Sequence, residues 1–275
     1  MGIFDRFRRS RDPARDPEPA AAPKADAKAV ILLGRDVGWP AVLRLMENRF
    51  GPRALTGRDG SHPNAPAARI SLEGVSFFCS YMAMPYPPQV CDLSAIQEGL
   101  FSPEEKEAIL GNQAFLVLAR QDGGTTQVET VRACRLFTRL AAALLDTESA
   151  LGVYVDSPEL LVSRRVYLYH AEILEQHFQD LEYFPAPLWV SIRHGQKGDL
   201  PLTSTWGLKQ FGFPELWFIN PEADWPEIHQ RLYLMSMLQI TGRELYRDGD
   251  TIQFTPGKTS VFRALNGALW IMDQR

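Results

Sequence analysis

The chain has 275 residues, of which 45% are hydrophobic and 11% aromatic, so it can build a large core and is not a disordered polypeptide. The formal net charge of −4 is unevenly distributed along the chain. Residues 1–28 carry seven basic and five acidic side chains, whereas the remainder carries 22 basic and 28 acidic side chains. Such an acidic body argues against nucleic-acid partners, because binding to the phosphate backbone needs clustered Lys and Arg.

The sequence predicts a cytoplasmic protein without a transmembrane span. No run approaches the roughly 18 apolar residues of a membrane helix, and the N-terminus lacks the apolar segment of a signal peptide. The three cysteines form no C-x-x-C pair, which favours a reducing compartment. Ile3, Phe4 and Phe7 share a helical face beside arginines, which leaves peripheral contact with a membrane or with a partner open, although a frayed tail is the favoured interpretation.

Predicted secondary structure begins after a tail and linker, residues 1–28, whose Pro-, Ala- and charge-rich composition cannot form a packed core. Hydrophobic periodicity and turn residues then divide the chain into strands and helices. The predicted elements are strand 29–33, helix 40–50, strands 67–73 and 75–83, a short helix from Ser102, strand 113–120, helix 126–145, strand 151–155, helix 157–177, strands 188–193, 201–208 and 215–219, a helix from Asp224 to about 241, and strands 251–255 and 261–264.

Capping signals mark several of the predicted helix starts. Ser102 and Thr126 are each followed three residues later by a glutamate, and Asp224 precedes Glu227 in the same way, as expected for capping boxes. In the helix after Thr126, apolar residues at helical spacing are expected to face inward. They are Val128, Val131, Phe137, Leu140 and Leu144.

This order of elements predicts an α+β fold with a mixed or antiparallel sheet, helices packed on it and a ferredoxin-like character. Hairpin signals such as Glu73-Gly74 are frequent, which disfavours a doubly wound parallel sheet. We expect one domain over residues 29–275, with 29–180 and 185–275 as possible similar lobes.

No complete catalytic or cofactor motif is present in the sequence. Gly257-Lys258-Thr259 resembles the end of a phosphate-binding loop, but the glycine required five residues earlier is Ile252, so a hairpin turn is the better interpretation. His170 and His177 are seven residues apart, about 10 Å along a helix, which is too far to share an ion easily. We therefore predict no cofactor and no metal.

The cysteines have structural interpretations as well. Cys134 lies near the apolar face of a predicted helix and Cys79 in a predicted strand, so both are expected to pack as small hydrophobes. Cys91 lies in a predicted loop and is the cysteine most expected to be exposed.

The most unusual stretch, residues 203–217, concentrates Trp, Phe, Gly and Pro. Two interpretations remain: two strands joined by a glycine-mediated bend with aromatics in the core, or a binding patch at a tight corner where glycine allows another backbone to approach. The candidate binding residues are Thr205, Trp206, Lys209, Phe211 and Phe213.

Several blocks of this chain resemble the bacterial Domain of Unknown Function 4261 family over about residues 29–255. They are Met84-Pro-Tyr-Pro, Ala114-Phe-Leu-Val-Leu, Ala150-Leu-Gly-Val-Tyr154, Leu188-Trp-Val, Thr205-Trp-Gly-Leu-Lys-Gln-Phe-Gly and Gly249-Asp-Thr-Ile. The resemblance implies an intracellular accessory protein, with toxin–immunity settings as a further expectation, and it implies no activity.

The leading functional expectation is a non-enzymatic cytoplasmic interaction protein of accessory or immunity type, whose acidic body would meet a basic or mixed protein partner. The alternative is an enzyme or small-molecule binder whose site is assembled from distant residues, because catalytic groups need not be adjacent in sequence. The residues to follow for that alternative are His170, His194, Cys91 and Lys209. A third expectation is a structural protein recruited to a membrane by its tail.

Overall fold

The computed structural model describes residues 27–56, 66–87, 101–121, 126–219, 225–255 and 258–273. Within them the chain forms five α-helices and thirteen strands. The helices are α1 (Trp39–Phe50), α2 (Pro103–Leu110), α3 (Gln127–Leu145), α4 (Arg164–Gln176) and α5 (Trp225–Ile240). The strands are β1 (Lys28–Leu33), β2 (Leu55–Thr56), β3 (Ala67–Leu72), β4 (Val75–Met82), β5 (Ala114–Arg120), β6 (Ala150–Val155), β7 (Leu160–Ser163), β8 (Ser191–Lys197), β9 (Leu200–Trp206), β10 (Glu215–Ile219), β11 (Thr251–Thr255), β12 (Lys258–Leu265) and β13 (Ala268–Asp273).

Two sheets organise these strands. The first has the order β2-β3-β4-β5-β1-β6-β7 and is antiparallel throughout. The second has the order β11-β12-β13-β10-β9-β8 and is antiparallel except for the parallel pair β10–β13. The predicted α+β class with mixed and antiparallel sheets is therefore confirmed, whereas its ferredoxin-like character is not.

The core joins the two sheets. One cluster of buried apolar side chains contains Ile31 and Leu116 from the first sheet, Leu216 and Phe262 from the second, and much of α3. The predicted lobes 29–180 and 185–275 each contain one sheet, but this shared cluster connects them, and their division stays a prediction.

Local sequence signals account for many of the element boundaries. Both capping boxes predicted within the described residues are formed, at Ser102 and Thr126. Glu73 and Gly74 have φ of 49° and 83°, as a tight hairpin between β3 and β4 requires. Asp224 lies outside the described residues, but α5 runs close to its predicted bounds.

Three predictions of element boundaries were wrong. The helix expected from residue 157 begins at Arg164, because residues 160–163 pair with β6 as strand β7 and Ser163 is the N-cap. Strand 188–193 begins only at Ser191, since Ala186–Leu188 forms a 3-10 turn. Strand 201–208 ends at Trp206, because the chain turns at Gly207.

Two further differences concern single positions and short strands. Val128, expected to face inward, is 70% exposed, because it lies on the same face of α3 as the exposed Arg132, four residues later. Strand β13 was not predicted, although the Asn266-Gly267 pair before it has positive φ at both residues and is a typical hairpin signal.

Candidate binding surface

The aromatic stretch that follows β8 is divided between the core and the surface. Thr205, Phe211 and Phe213 are buried, whereas Trp206 is 40% exposed and Lys209 is exposed. The five candidate binding residues therefore do not form one surface patch, and only Trp206 and Lys209 are available to a partner in this structure.

A buried carboxylate explains the polar part of that stretch. Glu215 is only 4% exposed, and it accepts hydrogen bonds from the Thr205 hydroxyl at 2.8 Å and from the backbone N–H of Gly207 at 2.9 Å. The N–H groups of Leu208 and Lys209 donate to it at 3.2 Å. Burial raises the pKa of Glu215, and these four donors oppose that shift. The carboxylate thus ties β10 to the 3-10 turn Leu208–Phe211.

Gly207 lets this turn approach another segment of the same chain. Its φ is 126°, and a Cβ at this position would lie 2.5 Å from the carbonyl oxygen of Trp189. The Gln210 amide donates to that same oxygen at 3.0 Å. The backbone that the glycine accommodates is therefore that of Trp189, which supports the structural interpretation of the motif.

A row of side chains crosses the face of the second sheet opposite the main core. Residues paired across a ladder point to the same face, and the registers align one residue from each of five strands. In order from β8 to β12, the row is Arg193, Ser204, Trp217, Trp270 and Arg263. We call these five residues the tryptophan row; it places two indoles at its centre and one guanidinium at each end.

Cation–aromatic contacts organise the tryptophan row and its neighbours. The rings of Trp217 and Trp270 are 4.7 Å apart at their centroids. The Lys197 ammonium lies 3.9 Å above the Trp270 ring, and the Arg193 guanidinium lies 4.4 Å above the ring of Trp206. Such contacts hold cations against an apolar surface without burying them deeply.

Apolar side chains continue the surface around the row. Leu202, Ala268 and Trp270 form a cluster with Trp217 and Ile219 that is separate from the main core. By strand alternation, three well-exposed residues belong to the same face. They are Leu200 at 46%, Leu265 at 49% and Met272 at 37% exposure.

The residues followed for the enzymatic alternative are distributed over several elements. His170 lies on α4 beside the ring of Tyr169, Lys209 lies on the 3-10 turn, and Cys91 is outside the described residues. His194, on β8, meets a residue that sequence reasoning did not pair with it, His229 on α5. Spacing along the chain could not reveal this pair, because 35 residues separate the two positions.

The two described cysteines are buried, as predicted. Cys79 and Cys134 are fully shielded from solvent, and burial raises the pKa of each thiol to about 12. Such thiols stay protonated at neutral pH and pack as small apolar groups.

Comparison with protein families, curated proteins and solved structures finds no match to this chain. Within the described ranges, no helix is long and apolar enough to cross a membrane. Those ranges also contain no cluster of three or more His, Cys, Asp or Glu side chains that could hold a metal ion.

Proposed function

We propose that this chain is a non-enzymatic interaction protein, of accessory or immunity type, which binds an acidic segment of a partner protein on the outer face of its second sheet. The observation that carries the proposal is the tryptophan row, in which two indoles lie between two arginines on a face with further exposed apolar side chains. The resemblance to the Domain of Unknown Function 4261 family and a cytoplasmic location belong to the same proposal.

The chemistry of the row favours this kind of partner. Trp and Arg are the residue types most enriched at binding hot spots, because they combine a large apolar area with hydrogen-bond donors. Arg263 and Lys197 add positive charge beside the indoles, although the body of the protein is acidic. The local charge thus favours carboxylates on the partner, rather than the basic or mixed partner that the overall charge suggests.

An ion pair holds Arg193, the residue at the β8 end of the tryptophan row, in place. Arg193 donates to Glu159, in the turn between β6 and β7, at 2.6 Å, while its guanidinium lies over Trp206. This contact pre-organises the exposed indole, and a pre-organised side chain loses less entropy when it binds.

Site-specific photo-crosslinking in native cells tests the proposal. A photoreactive residue replaces Leu200, at the rim of the face, in the wild type, in the double variant Lys197→Glu/Arg263→Glu and in the matched control Arg44→Glu/Arg53→Glu. We expect one protein to be captured through an Asp/Glu-rich segment. The yield of the crosslinked product should fall at least about tenfold in Lys197→Glu/Arg263→Glu and should not change in the control.

The captured segment is then made as a synthetic peptide and titrated against the purified protein. Binding should disappear in Lys197→Glu/Arg263→Glu and in a peptide whose carboxylates are replaced by amides. Equal capture by all three proteins would contradict the proposal, and so would an adduct that nuclease treatment removes, because the partner would then be a nucleic acid.

A further inference from the structure

The second site that the fold assembles is a pair of histidines on different elements. The Nε2 atoms of His194 on β8 and His229 on α5 are 2.8 Å apart. The ring centroids are 4.8 Å apart and the ring planes differ by 17°. The nitrogens are therefore much closer than the ring centres, so the imidazoles meet through Nε2 rather than face to face.

Two residues besides His229 lie close to the His194 ring. The ring of Trp225, the first residue of α5, stands at 77° to the His194 ring with centroids 4.6 Å apart. The buried Thr203 hydroxyl lies 3.4 Å from Nδ1 of His194. His194 is exposed and His229 is half-buried, so the pair lies at the surface of the protein.

We propose that His194 and His229 bind one divalent transition-metal ion, of the Zn²⁺ or Cu²⁺ class, through their Nε2 atoms, with water in the remaining positions. Imidazole nitrogen is a preferred ligand for these ions, and Zn–N bonds are about 2.0–2.1 Å long. Two such ligands at a tetrahedral angle are about 3.3 Å apart, so the pair needs to open by only about half an ångström, with a tilt of the rings that aims both lone pairs at the ion.

The two imidazoles can bind a cation without either ring gaining or losing a proton. The 2.8 Å contact of the metal-free pair requires that one Nε2 carries a proton and donates a hydrogen bond to the other Nε2. When a cation binds, that proton moves to Nδ1 of the same ring, so that both Nε2 lone pairs face the ion and both rings stay neutral. In His194 the Nδ1–H group can then donate a hydrogen bond to the Thr203 hydroxyl, 3.4 Å away, which would hold the ring in place as the outer contacts of metal-binding histidines do. Burial lowers the pKa of both rings, which favours the neutral form that metals require.

Calorimetric titration of the purified full-length chain with Zn²⁺ at pH 7.5 tests the proposal. We expect one ion per chain and at least about a tenfold weaker affinity in His194→Ala and in His229→Ala, since loss of a ligand should exceed the effect of losing an outer contact. The matched control is His177→Ala, an exposed histidine on a different segment, which should leave affinity unchanged.

Two further measurements separate a ligand from a structural role. His229→Cys should recover Zn²⁺ binding relative to His229→Ala, because thiolate is a zinc ligand, whereas a lost hydrogen bond would not be recovered in this way. Electron paramagnetic resonance with Cu²⁺ should show two coupled imidazole nitrogens in the wild type and one in either alanine variant. Equal Zn²⁺ affinity in the wild type and His194→Ala, with both folded by circular dichroism, would overturn the proposal and leave a proton-sharing pair.

Discussion

At the scale of single residues, the turn after β9 depends on one buried charge and one glycine. Glu215 accepts hydrogen bonds from four donors at a carboxylate that is almost entirely shielded from solvent, and Gly207 brings that turn against the carbonyl of Trp189. The donors around Glu215, and the Gln210 amide that donates to the Trp189 carbonyl oxygen, give partners to buried polar groups, so these side chains belong to the architecture of the fold.

Replacing Gly207 with alanine should destabilise the protein by about 2–4 kcal/mol. The new Cβ would clash with the Trp189 carbonyl oxygen, and the φ of 126° strains any residue with a side chain. Chemical denaturation followed by circular dichroism measures the free energy of unfolding. The control is Gly195→Ala on β8, where no atom lies within 4 Å of the added Cβ and φ is not positive; an equal loss in both variants would contradict the explanation.

At the scale of elements, strand pairing determined where α4 begins. Ser157-Pro158 has the composition of a helix start, but Leu160–Ser163 pairs with β6 and is buried along its whole length. The burial of this edge strand outweighs the capping preference of Ser157. The N-cap of α4 is therefore Ser163, whose hydroxyl accepts a hydrogen bond from the N–H of Val166.

The position of this cap can be checked by two alanine substitutions. Ser163→Ala should cost about 1 kcal/mol of unfolding free energy, the usual cost of losing an N-cap. Ser157→Ala, at the start predicted from the sequence, should cost close to nothing, because Ser157 is exposed and precedes β7. The reverse order of effects in thermal or chemical denaturation would show that the helix begins at the earlier serine.

At the scale of the whole molecule, one core cluster crosses from the first sheet to the second. Helix α3 contributes buried residues along most of its length, and Trp189, in the segment between the sheets, contacts the ring of Phe137 on α3 at 5.5 Å between centroids. The indole N–H of Trp189 also donates to Thr138 at 3.0 Å. These contacts couple the sheets, because neither sheet can lose its partner without exposing part of the same cluster.

We therefore expect the two sheets to unfold together. Leu216→Ala, in the second sheet, should cost about 3 kcal/mol and should shift the transitions reported by probes in both sheets by the same amount. Hydrogen exchange of β1 and β10 amides in denaturant, followed by mass spectrometry, provides the two probes. If β10 alone lost protection in the variant, residues 29–180 and 185–275 would be independent lobes.

The candidate surface shows the limit of local reasoning. The sequence drew attention to Trp206 and Lys209, which are exposed, but it grouped them with Phe211 and Phe213, which are buried. The tryptophan row could not be predicted from the sequence, because Trp217 and Trp270 become neighbours only through the parallel pairing of β10 with β13, and β13 was not predicted. The His194–His229 pair was hidden for the same reason, since it joins two elements distant in the chain.

The sequence by itself determined the α+β class, the two capping boxes of the described helices, the Glu73-Gly74 hairpin and the burial of Cys79 and Cys134. Each of these depends on interactions between residues close in the chain or on the hydrophobic period of one element. Only the tertiary structure decided the strand order, the register that aligns the tryptophan row and the meeting of His194 with His229. These depend on contacts between distant segments, whose free energies local patterns do not encode.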